Sequence, residues 1–566
     1  MEKKWVKNSN SEVEKIKELA QALNVEQSLA QLLMNRGVSN FDEAKSFFRP
    51  SLSELHSPFL MKDMDKAVDY IIDAIQSNKK ILVYGDYDVD GTTSVAMMYD
   101  FLKKYTSNID FYIPDRYAEG YGVSYKAIDT AAENKVDLII SLDCGIKAVE
   151  KIQHAKDLGV DFIVCDHHTP GEELPNAIAV LDPKRSDCEY PYKELSGCGV
   201  GFKLIQALLE KWNESQDKAY QYLDLLAISI AADIVPITLE NRILCYHGLK
   251  QIRESSRPGI KSLLDTCKIN GEISVGDIGF KIGPRINAAG RMDHGKKAVT
   301  LLTTEDLDFA METSFNVDQD NEDRKELEKQ TFIEACEQLE KLPDFNQRRS
   351  IVVYDETWHK GIIGIVASRL VEKYYKPTIV LTKSGEKVAG SARSVKGFSV
   401  YDAIDRCTDD LIQFGGHKYA AGLTLGLDQV DSFKNSFEKS VSDYITPDQL
   451  QPEILIEQEI NLAEITPKFL RILKQFEPFG PENPAPVFAS KNLMDVGEAR
   501  VLGGEHLKLN IQDVSSNQRF PAIAFKMGHQ IDTVLNGKYF NSAYTIEENH
   551  YNGRVSTQLM IKDIKA

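Results

Sequence analysis

The stretch KKILVYGDYDVDGTTSVAMMYDFLKKY, Lys79–Tyr105, decides the fold. ILVYG is a short continuous apolar run, the pattern of a strand buried on both faces. It gives way to a polar turn, DYDVDG, and then to an apolar helix. The same unit recurs downstream. NIDFYIP (108–114), VDLIISL (136–142), VDFIVC (160–165) and AIAVLDP (177–183) read as strands. VSYKAIDTAAEN and IKAVEKIQHAKDLG read as the intervening helices, and FKLIQALLEKW and YLDLLAISIAADIV follow. Buried strands alternating with helices predict a parallel α/β sheet covered on both faces.

Outward from this core, the chain divides into five expected segments. Residues 1–60 read as helical and amphipathic, with Gly37 as a C-cap. Residues 61–302 form the parallel-sheet domain. Residues 303–343 form a long, highly charged helix whose middle has few apolar residues, an exposed connector ended by Pro343. Residues 344–450 make a smaller α/β domain, built from RRSIVVYD, IIGIVASRLVEKYY, PTIVLT, VAGSARS and FGGHKYAAGLTL. Residues 451–566 end in short strands, HLKLNIQD, FPAIAF, YFNSAYTIE and VSTQLMIKDI, that suit an OB-like β-barrel.

Polar clusters follow three of the parallel strands directly: Asp86, Asp88, Asp90 and Gly91 after ILVYG, Asp143 after VDLIISL, and Asp166, His167 and His168 after VDFIVC. In an open α/β sheet the carboxyl ends of neighbouring strands share one crevice, where ligands bind. Residues distant in sequence are therefore expected to meet there. Asp oxygens and His nitrogens suit Mn2+ or Mg2+. Asp233, in the apolar run AISIAADIVPI, is a fourth candidate, because a carboxylate among Ala, Ile and Val is costly unless paired or metal-bound.

Each cluster has a plainer explanation. DxDxDG opens a calcium loop, but the twelfth position is Met97, where a bidentate Glu is required, and a strand precedes the motif. A lone Asp after a strand, such as Asp143, is ordinarily a helix N-cap. Paired histidines before a Pro-Gly turn are ordinarily solvated. Their joint placement at one sheet edge favours the metal reading. GRMDHGKK, from Gly290, approaches a phosphate-loop pattern, but Lys297 replaces the needed Ser or Thr and no buried strand leads into it, so no NTPase is expected.

With 85 acidic against 67 basic residues the net charge is −18, which argues against a protein coated in positive charge for gripping duplex DNA. None of the 8 cysteines forms a CxxC pair, so zinc fingers and redox motifs are not expected. No apolar run approaches membrane-spanning length and the N-terminus carries no secretory pattern, so a cytoplasmic protein is expected.

The set GDYDVDG, SLDCG, DHH and GPRINAAGRM resembles the DHH phosphoesterase superfamily, and within it the single-strand-specific 5′ exonucleases. GSARS and GGHKYAAG resemble the DHH-associated domain, and GGEHLKL the OB-fold module of those exonucleases. The resemblance runs from about Lys80 to the C-terminus. It implies two Mn2+ or Mg2+ ions, with Asp88, Asp90, Asp143, His167, His168 and Asp233 as ligands. Asp86 and Asp166 are then supports, Asp166 orienting a neighbouring His. Many members carry a His four residues before the Asp matching Asp88; here that position is Tyr84.

By the same resemblance, Asn287 and Arg291 hold the scissile phosphate, with Arg285 nearby, and Asp143 and His168 belong to the catalytic group. Arg116, Ser391 and Arg393 form a pocket for a terminal 5′-phosphate, which Arg suits because its planar fork binds phosphate oxygens in pairs. His417 is expected to face the DNA. The implied reaction is two-metal hydrolysis of single-stranded DNA from the 5′ end, releasing 5′-mononucleotides in recombination and repair, with a helicase and a single-strand-binding protein as partners. The alternatives are a DHH oligoribonuclease or cyclic-dinucleotide phosphodiesterase, and a non-catalytic single-strand-binding scaffold.

Overall fold

The computed structural model describes residues 2–7, 12–116, 118–292, 295–535, 537–551 and 554–566. The chain forms two compact units. One comprises residues 10–321 and 464–485, the other residues 1–9, 322–463 and 486–566.

The first unit is built on five strands: β1 Ile81–Gly85, β2 Ile109–Tyr112, β3 Leu138–Leu142, β4 Asp161–Cys165 and β5 Ala179–Leu181. Their order is β2-β1-β3-β4-β5 and every pairing is parallel. β1 and β3 are buried at every position, as a strand covered on both faces requires. Helices α1 Val89–Leu102, α2 Gly197–Lys211 and α3 Leu223–Ala232 pack into the core on one face. The register sets the site: Gly85 lies opposite Leu142, Leu142 opposite Cys165, and Cys165 opposite Leu181. The residue after each of these four is an aspartate, Asp86, Asp143, Asp166 and Asp182. One edge of the sheet thus carries a row of four, at the ~4.8 Å strand spacing.

The second unit contains another five-stranded sheet: β6 Ile351–Asp355, β7 Thr378–Ser384, β8 Lys387–Arg393, β9 Gln413–His417 and β10 Ala420–Leu425. Its order is β9-β10-β8-β7-β6, with β6 and β7 parallel and the rest antiparallel. The C-terminal strands close into a barrel, because Phe488–Asp495 pairs with both Phe540–Tyr551 and His506–Asp513. Phe520, Phe540 and Tyr544 fill its interior, while Phe525 and Tyr539 are exposed.

Two expectations need correction. The N-terminal segment is not helical throughout. Lys4–Lys7 is a strand paired in parallel with Glu453–Ile456, and Trp5 donates to Asp563 at 2.7 Å. Four residues bonded to a partner distant in sequence leave no local pattern. The long helix, Leu307–Glu340, is not simply solvated in its middle: Val317, Asn321 and Glu328 are buried, and Glu328 pairs with Arg324 at 3.3 Å and with Arg369. A buried stripe recurs every three to four residues, but its polar side chains hide it from an apolar count.

Candidate metal centre

The edge of the parallel sheet is assembled from backbone geometry as much as from side chains. Asp88 caps α1, its Oδ1 accepting the Gly91 N–H at 2.9 Å. Gly91 is required there, since a Cβ would lie 2.3 Å from the Asp86 carbonyl oxygen. Asp90, in the first turn of α1, meets the N-terminus of α2. Its carboxylate accepts the N–H groups of Gly197 (2.7 Å) and Cys198 (2.9 Å) and the Ser229 hydroxyl (2.7 Å). The positive end of the α2 dipole and two otherwise unpaired N–H groups hold this charge in place.

Asp143 is not a helix cap. Its backbone is left-handed, at φ 59°, and Gly197 packs so closely that a Cβ would come 2.6 Å from that of Asp143. Asp166 takes N–H bonds from Ile146 (2.9 Å) and His167 (2.7 Å), and His168 Nδ1 lies 2.7 Å from its Oδ1. Although burial opposes its charge, the His168 contact holds Asp166 at about 2. Although burial disfavours imidazolium, Asp166 lifts His168 to about 9. Nδ1 of His168 is thus engaged and Nε2 is directed outward, 3.3 Å from the Tyr121 hydroxyl.

His167 is the centre of the cluster. Its Nε2 lies 3.1 Å from Asp143 Oδ1, 3.5 Å from Asp233 Oδ2 and 3.8 Å from Asp90 Oδ2. Two ligand sets result, Asp143–His167–His168 and Asp90–His167–Asp233, each with its donor atoms within 4.8 Å of one another. Asp88, Asp90 and Asp233 also line a pocket of about 280 Å³ with Tyr87, Arg116, Tyr121 and Asn287.

The donor set fits divalent cations. Asp86 Oδ2, Asp143 Oδ1 and both ring nitrogens of His167 are buried with no hydrogen-bond partner. Such groups are expensive unless something else satisfies them. Burial, and then the neighbouring carboxylates, push Asp86, Asp143 and Asp233 well above the usual range and raise Asp88. Like charges crowded in a low-dielectric corner call for positive charge between them.

Three domain-family models match the chain: the DHH family N-terminal domain over residues 80–230, the DHHA1 domain over 348–443 and the RecJ OB domain over 456–563. The single-stranded-DNA-specific exonuclease RecJ of Escherichia coli (strain K12) is 34% identical over 560 residues, covering 95% of both chains. The chain belongs to the RecJ family. The RecJ of Bacillus subtilis (strain 168) is 37% identical over 555 residues, 97% of this chain and 69% of that one. The crystal structure of Thermus thermophilus RecJ in complex with Mn2+ superposes with a TM-score of 0.85 at 28% identity, covering 100% of this chain and 79% of that one.

Against the RecJ pattern, the structure brings together Asp86, Asp88, Asp90, Asp143, Asp166, His167, His168 and Asp233, with Arg116 and Asn287 at the same pocket. Arg116 lies 4.8 Å above the Tyr87 ring. Arg285 does not line the pocket. Its guanidinium pairs with Asp318 at 2.7–2.8 Å and with the Lys281 carbonyl, which leaves little of its fork for a phosphate. Arg291 lies in the helix Gly283–Met292, but its side chain is outside the described residues. Ser391, Arg393 and His417 belong to the second unit, where Arg393 donates to Ser391 Oγ at 3.1 Å and His417 is exposed at the end of β9. Tyr84 is no ligand: its ring stacks on Tyr112 and its hydroxyl donates to the Gly122 carbonyl.

Sequence reasoning missed Asp182. It is fully buried, accepts the Lys184 N–H at 2.7 Å, and burial pushes it up to about 7. The signal was present, an aspartate directly after an apolar strand, as for its three neighbours. Ser229 was missed as well; no pattern marks a hydroxyl inside an apolar helix.

Proposed function

We propose that the chain is a metal-dependent exonuclease specific for single-stranded DNA, degrading it from the 5′ end to 5′-mononucleotides in recombination and repair. The carrying observation is the convergence of Asp90, Asp143 and Asp233 on His167 Nε2 within 3.8 Å. Asp88, Asp90, Asp143, His167, His168 and Asp233 would hold two Mn2+ or Mg2+ ions. When bound, such ions lower the pKa of a water and stabilise the attacking and leaving oxygens of a phosphodiester.

The protein's own groups prepare that chemistry. Asp166 engages Nδ1 of His168, which leaves Nε2 directed to the Tyr121 hydroxyl. The start of α2 and Ser229 hold Asp90 without movement, which is the preorganisation that electrostatic catalysis needs. Asn287 can donate to a phosphate oxygen bound in the pocket, and Arg291 is proposed for the scissile phosphate. Ser391 and Arg393 are proposed for the 5′-phosphate, and Arg116 for a phosphate oxygen at its own pocket. Among the described residues no carboxylate pairs with Arg393, whose fork makes hydrogen bonds only to Ser391 Oγ and the Ala392 carbonyl. A half-buried, unpaired Arg suits a phosphate.

The closed barrel supports a polymeric substrate over a dinucleotide, since OB-folds bind extended strands. A cytoplasmic setting, a single-strand-binding protein and a helicase belong to the same reading. Among the described residues no helix is long and apolar enough to cross a membrane. The test is digestion of single strands labelled at the 5′ or the 3′ end, with and without Mn2+. Early release of the 5′ label as mononucleotide, only with metal, is expected. Early loss of the 3′ label, or equal digestion in a chelator, would sink the reading.

A further inference from the structure

Asp233 stands at the C-terminus of α3, and the chain changes direction directly after it. Ile234 is held at φ 60° and Leu239 at φ 40°, and both side chains are exposed. Left-handed backbone is disfavoured for a residue branched at Cβ, such as Ile234, and persists only where surrounding contacts impose it. Residues 234–238 are therefore a strained link between a candidate metal ligand and the helix Leu239–Ser255.

The contacts that impose it come from the first turn of that helix, where Glu240, Asn241 and Arg242 are all buried. Asn241 Nδ2 donates to the carbonyls of Pro236 (3.0 Å) and Glu194 (2.5 Å). Arg242 donates to the carbonyls of Phe47, Gln475, Phe476 and Glu477 at 2.9–3.2 Å. The Glu240 carboxylate accepts the Lys203 ammonium (2.7 Å), the Tyr190 hydroxyl (2.6 Å) and the His56 N–H (2.9 Å). Within the link, the Ile237 N–H donates to the Pro481 carbonyl at 2.8 Å.

Lys203 connects this anchor to the metal centre. It lies on α2, six residues after Gly197, whose N–H holds Asp90. That is roughly 9 Å along one helix at 1.5 Å per residue. α2 thus holds Asp90 with its first N–H groups and, through Lys203, holds Glu240 at the far end of the link that follows Asp233. Asp90 and Asp233 are the two carboxylates of one ligand set with His167. Stability does not account for the ion pair. Lys203 and Glu240 side chains are 0% and 1% exposed, and a pair so buried is often no more stabilising than apolar side chains of similar volume.

We propose that the Lys203–Glu240 pair is a positioning device, which keeps the strained link in place and so sets Asp233 beside Asp90 for a shared cation. This rests on the metal-dependent reading above. Without the pair, Ile234 relaxes out of the left-handed region and carries Asp233 away from His167 Nε2.

The test uses the full chain, with Mn2+ calorimetry, thermal melts and kinetics on single strands. The double variant Lys203→Met/Glu240→Gln removes both charges together, so neither is left buried alone. Its metal-free melting temperature is expected within about 4 °C of the unaltered protein. One of two Mn2+ ions should bind about 10–100-fold more weakly. At subsaturating Mn2+, kcat should fall by a similar factor while KM for DNA stays within about threefold. Adding Ile234→Gly, which takes left-handed backbone without strain, should recover about three- to tenfold of the lost affinity. Ile234→Gly alone should leave Mn2+ binding within about threefold. A lowered melting temperature with unchanged Mn2+ affinity overturns the proposal, as does weakened binding that Ile234→Gly fails to rescue. If the double variant does not fold, Glu240→Gln alone retains an acceptor for all three donors and should weaken Mn2+ binding about threefold; unchanged affinity there overturns the proposal equally. Failure of the unaltered protein to bind Mn2+ would instead bring down the metal-dependent reading, and the proposal with it.

Discussion

The chain holds two five-stranded sheets whose working edges are built on opposite plans. The parallel sheet carries its functional groups buried, locked by the N–H groups of a helix and by left-handed backbone, with glycines admitting contacts that a single Cβ would forbid. The mixed sheet carries Ser391, Arg393 and His417 half-buried or exposed, and a Cβ added at Gly415 would meet nothing within 4 Å. Fixed, crowded charge is what holding cations for bond cleavage needs. The role proposed for the mixed sheet, gripping a flexible strand, needs available donors and room, and a lightly built edge has both.

The widest separation between the two plans is expected for Asp143→Asn. Activity on single strands should fall by at least about a thousandfold if Asp143 has the ligand role proposed for it. In the metal-free protein the same change relieves like-charge crowding, so the melting temperature should rise by about 2–5 °C. Mn2+ should then stabilise the unaltered protein more than the variant. A variant that keeps its activity would break the comparison at its first premise.

A matched pair of glycine substitutions comes next. Gly197→Ala drives a Cβ into Asp143 and should lower metal-dependent activity about a hundredfold, with a loss of about 1–3 kcal/mol of stability. Gly415→Ala should shift stability by no more than about 0.5 kcal/mol. Denaturant melts of both variants check this, and equal penalties would show that the two edges are alike. On the open edge, Arg393→Ala should reduce the preference for a 5′-phosphate over a 5′-hydroxyl end about tenfold, the scale of one charge-assisted hydrogen bond, while Mn2+ affinity stays unchanged. Equal loss on both ends would remove the phosphate pocket from the picture.

The smallest effect is expected for Asp182→Asn. Burial holds the folded-state pKa near about 7, against an ordinary value of 3.8. Between these values the folded chain keeps a proton that the unfolded chain has lost, so stability declines as pH rises from about 4 to 7 and is level above that. Asn keeps the acceptor for Lys184 and carries no charge. It should therefore stabilise the metal-free protein by about 1–2 kcal/mol at pH 8 and by almost nothing at pH 4. A gain of the same size at both pH values would contradict this account of the buried row.

Much of the parallel sheet was legible because a strand buried on both faces must be largely apolar, and ILVYG, LIISL and FIVC are, with Ser141 the one hydroxyl-bearing aliphatic position. The metal candidates were legible for the complementary reason: a carboxylate directly after such a run has few inexpensive explanations. Asp182 obeyed the same rule and was passed over, since a strand of three residues ending in Asp-Pro resembles an ordinary turn. Arg285 was over-read: a motif carries no record that Asp318, 33 residues away, occupies its guanidinium. The strand at Lys4–Lys7 was unreadable because its partner lies more than 440 residues along the chain.

The order of residues by itself determined the alternation of buried strand and helix, and the placement of acidic and imidazole groups where each strand stops. Those are local matters, set by hydrophobic burial and by the few residue types that tolerate a turn. Only the tertiary structure decided the register that aligns Asp86, Asp143, Asp166 and Asp182, and brought Asp233 and the start of α2 to them. Contacts of 2.7–3.8 Å between groups up to 139 residues apart depend on how helices pack on the sheet, and packing is a property of the whole chain.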